Sequence, residues 1–178
     1  MDYYALIDKY YGDNAELRDI LVRHSTAVAH KALAIADAHP ELKLDRRFLL
    51  EAAMLHDIGI IRTDAPDIKC FGTEPYIRHG VIGAEMMRAE GFPRHARVCE
   101  RHTGAGLSQK EIERQGLPLP HTDLLPETTE EQVVCYADKF FSKTRLDTEK
   151  TIAQAERSVA KHGEEGLRRF KEMEKRFF

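Results

Sequence analysis

Phe48-Leu49-Leu50-Glu51-Ala52-Ala53-Met54-Leu55-His56-Asp57-Ile58-Gly59 is the stretch on which the reading of this chain turns. Phe48, Leu49, Ala52, Ala53 and Leu55 recur at helical spacing, and Asp45 just upstream can cap the helix they define. Gly59 suits a helix C-terminus. The run stays apolar until an imidazole and a carboxylate follow one another, so His56 and Asp57 are expected at the buried end of that helix. An unpaired carboxylate there is costly to desolvate, and a metal ion is one way to keep it ionised.

Helical periodicity extends outward on both sides. Upstream, a short tyrosine-rich segment (Asp2 to Tyr11) precedes Asp13 and Asn14. Either can cap a long helix reaching about Ala38, with Leu17, Leu21, Val28 and Ile35 in one stripe and Pro40 as its stop. Downstream, residues 60 to 75 lack a period and contain Pro66, Gly72 and Pro75; this reads as a loop of functional length. Helices are then predicted over Tyr76 to Glu90, from Pro93 to about His102, from Ser108 to Gly116, and from Thr128 or Thr129 through Phe140. Leu117 to Pro126 is irregular, and the last 30 or so residues form two amphipathic helices broken near Gly163. No convincing strand, repeat or linker interrupts this pattern. The expectation is an all-α, single-domain helical bundle over 1–178, its motif-bearing core about 20–145 and a C-terminal helical extension over 146–178.

The chain has 178 residues, 42% hydrophobic and 32% charged, with a net charge of -3. That balance fits a globular domain and argues against a nucleic-acid backbone binder, which would carry a basic excess. A small anionic ligand stays possible, since a few local cations suffice for it. Three cysteines without a CxxC suggest neither a disulfide framework nor a zinc ribbon. Met1-Asp2-Tyr3-Tyr4 has no basic leader character, and no run is long enough to span a bilayer, so a cytoplasmic protein without membrane contact is expected.

Nine histidines raise the question of which could meet. His24 falls in the apolar stripe of the long helix, three after Leu21 and four before Val28. Alone, it reads first as a buried histidine bonded to a carbonyl. Asp138 lies in Val133-Val134-Cys135-Tyr136-Ala137-Asp138-Lys139-Phe140, an acid in an apolar helical stretch. It could pair with Lys139 or cap a neighbour, although adjacent residues on a helix point in different directions. Together, His24, His56, Asp57 and Asp138 are four potential ligands on three helices, each facing inward. Imidazole plus carboxylate suits Mn, Fe, Co, Ni, Zn or Mg and disfavours a thiolate site. His79 and His102, each beside a residue or two of glycine-containing turn, fit the same logic, although in isolation both would be surface histidines.

The ordered set His24, His56-Asp57, Asp138 resembles the H…HD…D signature of the HD superfamily, and His56-Asp57-Ile58-Gly59 its HDIG variant. His79-Gly80-Val81-Ile82-Gly83-Ala84-Glu85 looks like the HGxxGA helix start of HD hydrolases. Glu100-Arg101-His102-Thr103-Gly104 and Tyr136-Ala137-Asp138-Lys139 look like their later motifs. The likeness covers roughly residues 20 to 145 and is closest to uncharacterised bacterial and archaeal HDIG proteins, then to HD-type hydrolases of diadenosine tetraphosphate. It implies packed helices around a metal site. His24, His56, Asp57 and Asp138 would hold one divalent ion, with Fe or Mn favoured, and Asp57 would bridge to a second held by His79 and His102. Two departures stand out. Several HD enzymes carry Lys or Arg directly after HDIG, whereas this chain has Ile60 and no basic residue before Arg62. The Pro-rich stretch between His102 and Asp138 is also longer than in the tetraphosphate hydrolases.

The resemblance implies a metal-dependent phosphohydrolase acting on an ester or anhydride of a nucleotide or other small metabolite. Asp57, Lys139 and Arg62 are its expected catalytic groups. Arg23, Lys69, Arg78 and Arg101 are further candidate cations. A mixed-valent diiron oxygenase and a non-catalytic metal- or nucleotide-binding module are the alternatives, and a homodimer is possible. His30, His39, His95, His121 and His162 carry no expected role, with His95→Ala a near-silent control.

Overall fold

Six side-chain caps set where helices begin in the computed structural model, which describes residues 1–178. Asp2 caps α1 (Tyr3–Tyr11), Asn14 caps α2 (Ala15–Ala38) and Asp45 caps α3 (Arg46–Leu55). Ser108, Thr128 and Thr151 open α6 (Gln109–Gln115), α7 (Thr129–Asp138) and α8 (Ile152–Ala160) with reciprocal capping boxes to Glu111, Glu131 and Gln154. α4 (His79–Ala89), α5 (Pro93–Arg101) and α9 (Glu164–Phe177) complete the helices. The chain is all-helical apart from one small sheet.

That sheet corrects the expectation of no strand. β1 (Thr63–Ala65) pairs antiparallel with β2 (Cys70–Phe71) and parallel with β3 (Glu74–Pro75), in the order β2-β1-β3. Strands of two and three residues have no room to display alternation, so the stretch reads as loop. Two helix boundaries also differ. α3 ends at Leu55 rather than near Gly59, and residues 58–62 tighten into a 3₁₀ turn; α4 begins at His79, with residues 76–78 a 3₁₀ turn before it.

α2 lies against α3 and α7, and α4 lies against both α5 and the 58–62 turn. The last contact is close enough to dictate sequence. A Cβ at Gly59 would sit 2.1 Å from the His79 carbonyl oxygen and 2.4 Å from the Gly83 nitrogen. Glycine at 59 is therefore a requirement of the helix crossing, beyond its suitability for a helix end.

The tyrosine-rich start, to which the sequence reading assigns no element, is helix α1. Its last residue, Tyr11, is fully buried; its hydroxyl donates to the Ile58 carbonyl at 2.7 Å and accepts from the Ile61 amide at 3.2 Å. α1 thus clamps the turn that follows His56-Asp57. Tyr11→Phe leaves one buried and one half-buried backbone group without their partner, and we expect a loss of about 1–3 kcal/mol of stability in denaturant unfolding. An unchanged midpoint would show that the clamp contributes nothing.

The C-terminal helix covers the back of α7. Tyr136 stacks on Phe170 at 5.1 Å between ring centroids and meets Phe140 and Phe177 at 5.1 and 5.8 Å. Phe177 is buried in this cluster, whereas Phe178 is exposed. No helix is long and apolar enough to cross a membrane.

Candidate metal centre

The middle of α2 and the ends of α3, α4, α5 and α7 deliver one ligand group each or two, and all six predicted side chains meet. His24, His56, Asp57 and Asp138 bring one ligand atom apiece within 4.8 Å of one another, and Asp57, His79 and His102 do the same. Asp57 belongs to both groups. Its Oδ2 lies 3.2 Å from His24 Nε2 and 3.1 Å from His56 Nε2, and its Oδ1 lies 3.4 Å from His79 Nε2 and 3.3 Å from His102 Nε2. Asp138 Oδ1 adds contacts of 3.0 Å to His24 Nε2 and 3.4 Å to His56 Nε2.

Three of the imidazoles are set by the same local device. His56 Nδ1 lies 2.6 Å from the Ala53 carbonyl, His79 Nδ1 2.7 Å from that of Tyr76, and His102 Nδ1 2.7 Å from that of Cys99. A carbonyl oxygen only accepts, so each Nδ1 carries a proton. In each case the partner lies three residues back in a helical turn, which turns Nε2 toward the centre and fixes the ring. His79 Nε2 and His102 Nε2 then face each other at 3.0 Å. With both Nδ1 atoms protonated, two neutral rings would oppose lone pair to lone pair.

The buried polar atoms left over point the same way. His56 Nε2 and both oxygens of Asp57 have no hydrogen-bond partner in good alignment. Orphaned imidazole nitrogens around a fully buried carboxylate are what a divalent cation satisfies, and the mixed nitrogen and oxygen donors suit Fe, Mn, Co, Ni, Zn or Mg. The residues present therefore fit a metal centre of one or two ions.

Charge is balanced within the cluster. Burial would push the Asp57 carboxyl up, but the Lys143 ammonium and His56 outweigh it and hold it well below the usual carboxylate range. Asp138 is likewise held down, against burial, by Lys139, His24 and His56. Burial would lower His56, yet Asp57 and Asp138 raise it to about 9. Burial does prevail at His79, pushed down to about 3, and at His102, which is also lowered.

Lys143 is the residue that sequence reasoning missed. Its Nζ lies 2.6 Å from Asp57 Oδ2, with only 12% of its side chain exposed. It follows α7 in a turn without period or motif, five residues after Asp138, so only its proximity to that ligand could have drawn attention. Lys139 faces the centre too. Its Nζ donates to the His102 carbonyl at 3.0 Å and to Asp138 Oδ2 at 2.7 Å. The pairing with Lys139 that helix directions disfavour does form: Asp138 is the last residue of α7 and Lys139 its cap, so mid-helix directions no longer apply.

A cavity of about 560 Å³ opens over this centre. His79, His102 and Asp138 form its floor, Lys139 and Lys143 one side, and Tyr76, Phe141, Leu107 and Leu117 the apolar walls. Arg62 does not line it. It is exposed at the end of the 58–62 turn, where the buried Thr63 beside it claims the inward direction. Arg23 and Arg101 are tied to Asp147 and Glu127 at 2.6 Å each, Arg78 to Glu74 at 3.0 Å, and Lys69 is exposed. His95, expected to be a near-silent control position, is buried. It is 8% exposed and packed against Phe48 and Phe92, with Nε2 3.2 Å from Glu51 Oε2. His121, 68% exposed at its side chain, is the better control position.

Comparison with known proteins places this geometry. The HD domain family model matches residues 21–142. A tRNA (cytidine(56)-2'-O)-methyltransferase of Picrophilus torridus is 36% identical over 135 residues, covering 75% of this chain and 34% of that protein. An uncharacterized protein of Methanocaldococcus jannaschii is 35% identical over 146 residues, 80% of this chain and 79% of its own. A tRNA (cytidine(56)-2'-O)-methyltransferase of Thermoplasma volcanium is 35% identical over 125 residues, 70% of this chain and 32% of that protein. The chain therefore spans about a third of the two methyltransferases it matches. No solved structure matches.

Proposed function

Since this chain belongs to the HD domain family, we propose that it is a metal-dependent phosphohydrolase that cleaves a phosphate ester or anhydride of a nucleotide or similar small metabolite. One observation carries the reading: four imidazoles and two carboxylates converge on a point at the floor of a cavity whose side bears two lysines. His24, His56, Asp57 and Asp138 would hold one divalent ion, and Asp57, His79 and His102 a second. A bound divalent ion lowers the pKa of water and offsets charge on phosphoryl oxygens, which is the chemistry such a centre supplies.

The chain's own groups supply the rest. Lys139, fixed by the His102 carbonyl and Asp138, holds its ammonium at the rim of the centre. With Lys143 it opposes the negative charge that grows on the non-bridging oxygens as the bond to phosphorus breaks. Tyr76, Phe141, Leu107 and Leu117 offer apolar area for a base or other non-polar part of the substrate, which orients the phosphate toward the floor. Water is the co-reactant: its oxygen ends on phosphorus and its proton on the departing oxygen. Methyl transfer, the activity named for two relatives, is not assigned to this centre, because converging imidazoles and carboxylates suit a cation rather than a methyl donor.

The test is a screen of metal-stripped protein reloaded with Mn, Co, Fe, Ni, Zn or Mg against phosphate monoesters and nucleotides, without oxygen. Phosphate release under those conditions is expected. Turnover that requires O₂ and a mixed-valent iron pair would replace this reading with an oxygenase, and no turnover with any metal would leave a binding module. Within an active preparation, Lys143→Met is expected to lower kcat by about 10²-fold or more while metal content holds.

A further inference from the structure

Beside the cavity over the metal centre lies a second pocket of about 300 Å³ with no hydrophobic residue in its wall. Arg145, Lys150, Arg157 and Lys161 supply its charge, and Ser142 and Ser158 are shared with the first cavity, as is Lys150. The two spaces therefore adjoin across side chains that can donate to both.

These four cations are not neutralised from within the fold. The acidic residues nearest in sequence are committed elsewhere. Asp147 pairs with Arg23 at 2.6 Å, Glu149 with Lys31 at 2.6 Å, and Glu156 with Lys171 at 3.3 Å. Arg145, Lys150, Arg157 and Lys161 pair with no carboxylate. Lys150, half-buried between the two pockets, reaches only the Lys139 carbonyl, at 3.3 Å. Its pKa is lowered by burial and then by Lys139, Arg145 and Lys143, which outweigh Asp138. Four cations gathered around hydroxyl and amide groups, in a chain of net charge -3, form a site for a compact polyanion.

We propose that this pocket binds a second phosphate group of the substrate, so that the chain acts on small molecules carrying at least two phosphates. One phosphate would lie at the His/Asp centre and the other among Arg145, Lys150, Arg157 and Lys161. The inference rests on the phosphohydrolase reading for its first phosphate. It commits to a nucleoside polyphosphate or bisphosphate rather than a nucleic acid, because the pocket is compact, about 300 Å³, and the chain's net charge of -3 lacks the basic excess that an extended backbone requires.

Equilibrium titration of the metal-loaded protein tests this, with AMP, a non-hydrolysable methylene analogue of ADP, the corresponding analogue of ATP, adenosine 3',5'-bisphosphate and the dinucleotide pApA as probes. At least one small two- or three-phosphate probe is expected to bind at least about tenfold more tightly than AMP. In the double variant Arg157→Gln, Lys161→Gln that advantage is expected to disappear, while Lys110→Gln, on the exposed face of α6, keeps it. Both substituted residues are exposed, so folding is preserved. A wild-type protein that binds AMP as tightly as every multi-phosphate probe overturns the proposal, as does tightest binding of pApA. Hydrolysis of monophosphates with no such preference would sink this inference and leave the phosphohydrolase reading intact. Selective binding lost in the double variant, without any turnover, would do the reverse.

Discussion

Asp57→Asn is expected to strip the protein of metal and of turnover while leaving it folded. Asp57 is the one residue common to both ligand groups, and it is fully buried with four imidazole nitrogens within 3.4 Å. Asparagine keeps the shape but is neutral, and it offers one acceptor oxygen where the carboxylate offers two. Losing an outer-shell partner of a metal ligand typically costs about 10–100-fold in affinity or activity. Losing the shared ligand is expected to exceed that in both. Elemental analysis of the purified variant, beside circular dichroism and a phosphate-release assay, reads all three quantities. A variant that keeps its metal and its rate would refute the centre as drawn. His121→Ala, far from the cluster, is expected to match the parent.

Gly59→Ala is expected to damage the same centre through the backbone instead of the ligands. Replacing a glycine by alanine ordinarily stabilises by about 0.4–1 kcal/mol where the conformation allows it. Here the new Cβ would meet two backbone atoms of α4 at 2.1 and 2.4 Å, neither of which can swing aside as a side chain would. Overpacking of this kind costs about 1–3 kcal/mol and sometimes more. The steric term therefore wins, and since α4 begins with His79, relief of the clash must move that ligand. We expect a loss near the upper end of that range, which for a chain of this size lowers Tm by roughly 6–12 °C at about 2–4 °C per kcal/mol. Metal content is expected to fall with it. A Tm equal to or above that of the parent would mean that the crossing is looser than these distances imply.

How much of this was legible in the sequence depends on whether a residue belonged to a pattern. The long helices were readable because their apolar stripes repeat and because Asn14, Asp45, Ser108 and Thr128 announce their starts. The six converging side chains were readable because each sits at an inward position of such a stripe or beside a motif glycine. α1 was missed because its tyrosines are amphipathic, so a buried Tyr11 is indistinguishable by type from the exposed Tyr4. Lys143 was missed for the opposite reason: lysine is a surface residue by default, and nothing in a non-periodic turn signals that the chain folds back over Asp57. Arg62 was chosen for being near the motif along the chain, but the strand that follows it turns it outward. Proximity in sequence served well within a helix and poorly across a turn.

The aromatic cluster on the far side of α7 has a consequence for the order in which the protein becomes able to hold an ion. Asp138 ends a helix whose reverse face is closed only when Phe170 and Phe177 have docked on Tyr136. Those residues are synthesised after the last ligand, by roughly two to eight seconds at about 5–20 residues per second. During that interval the nascent chain holds every donor atom but lacks the support that rigidifies the helix presenting one of them. Shortening α9 is therefore expected to weaken retention of an ion at a site it never touches, read as lower metal content in the truncated protein.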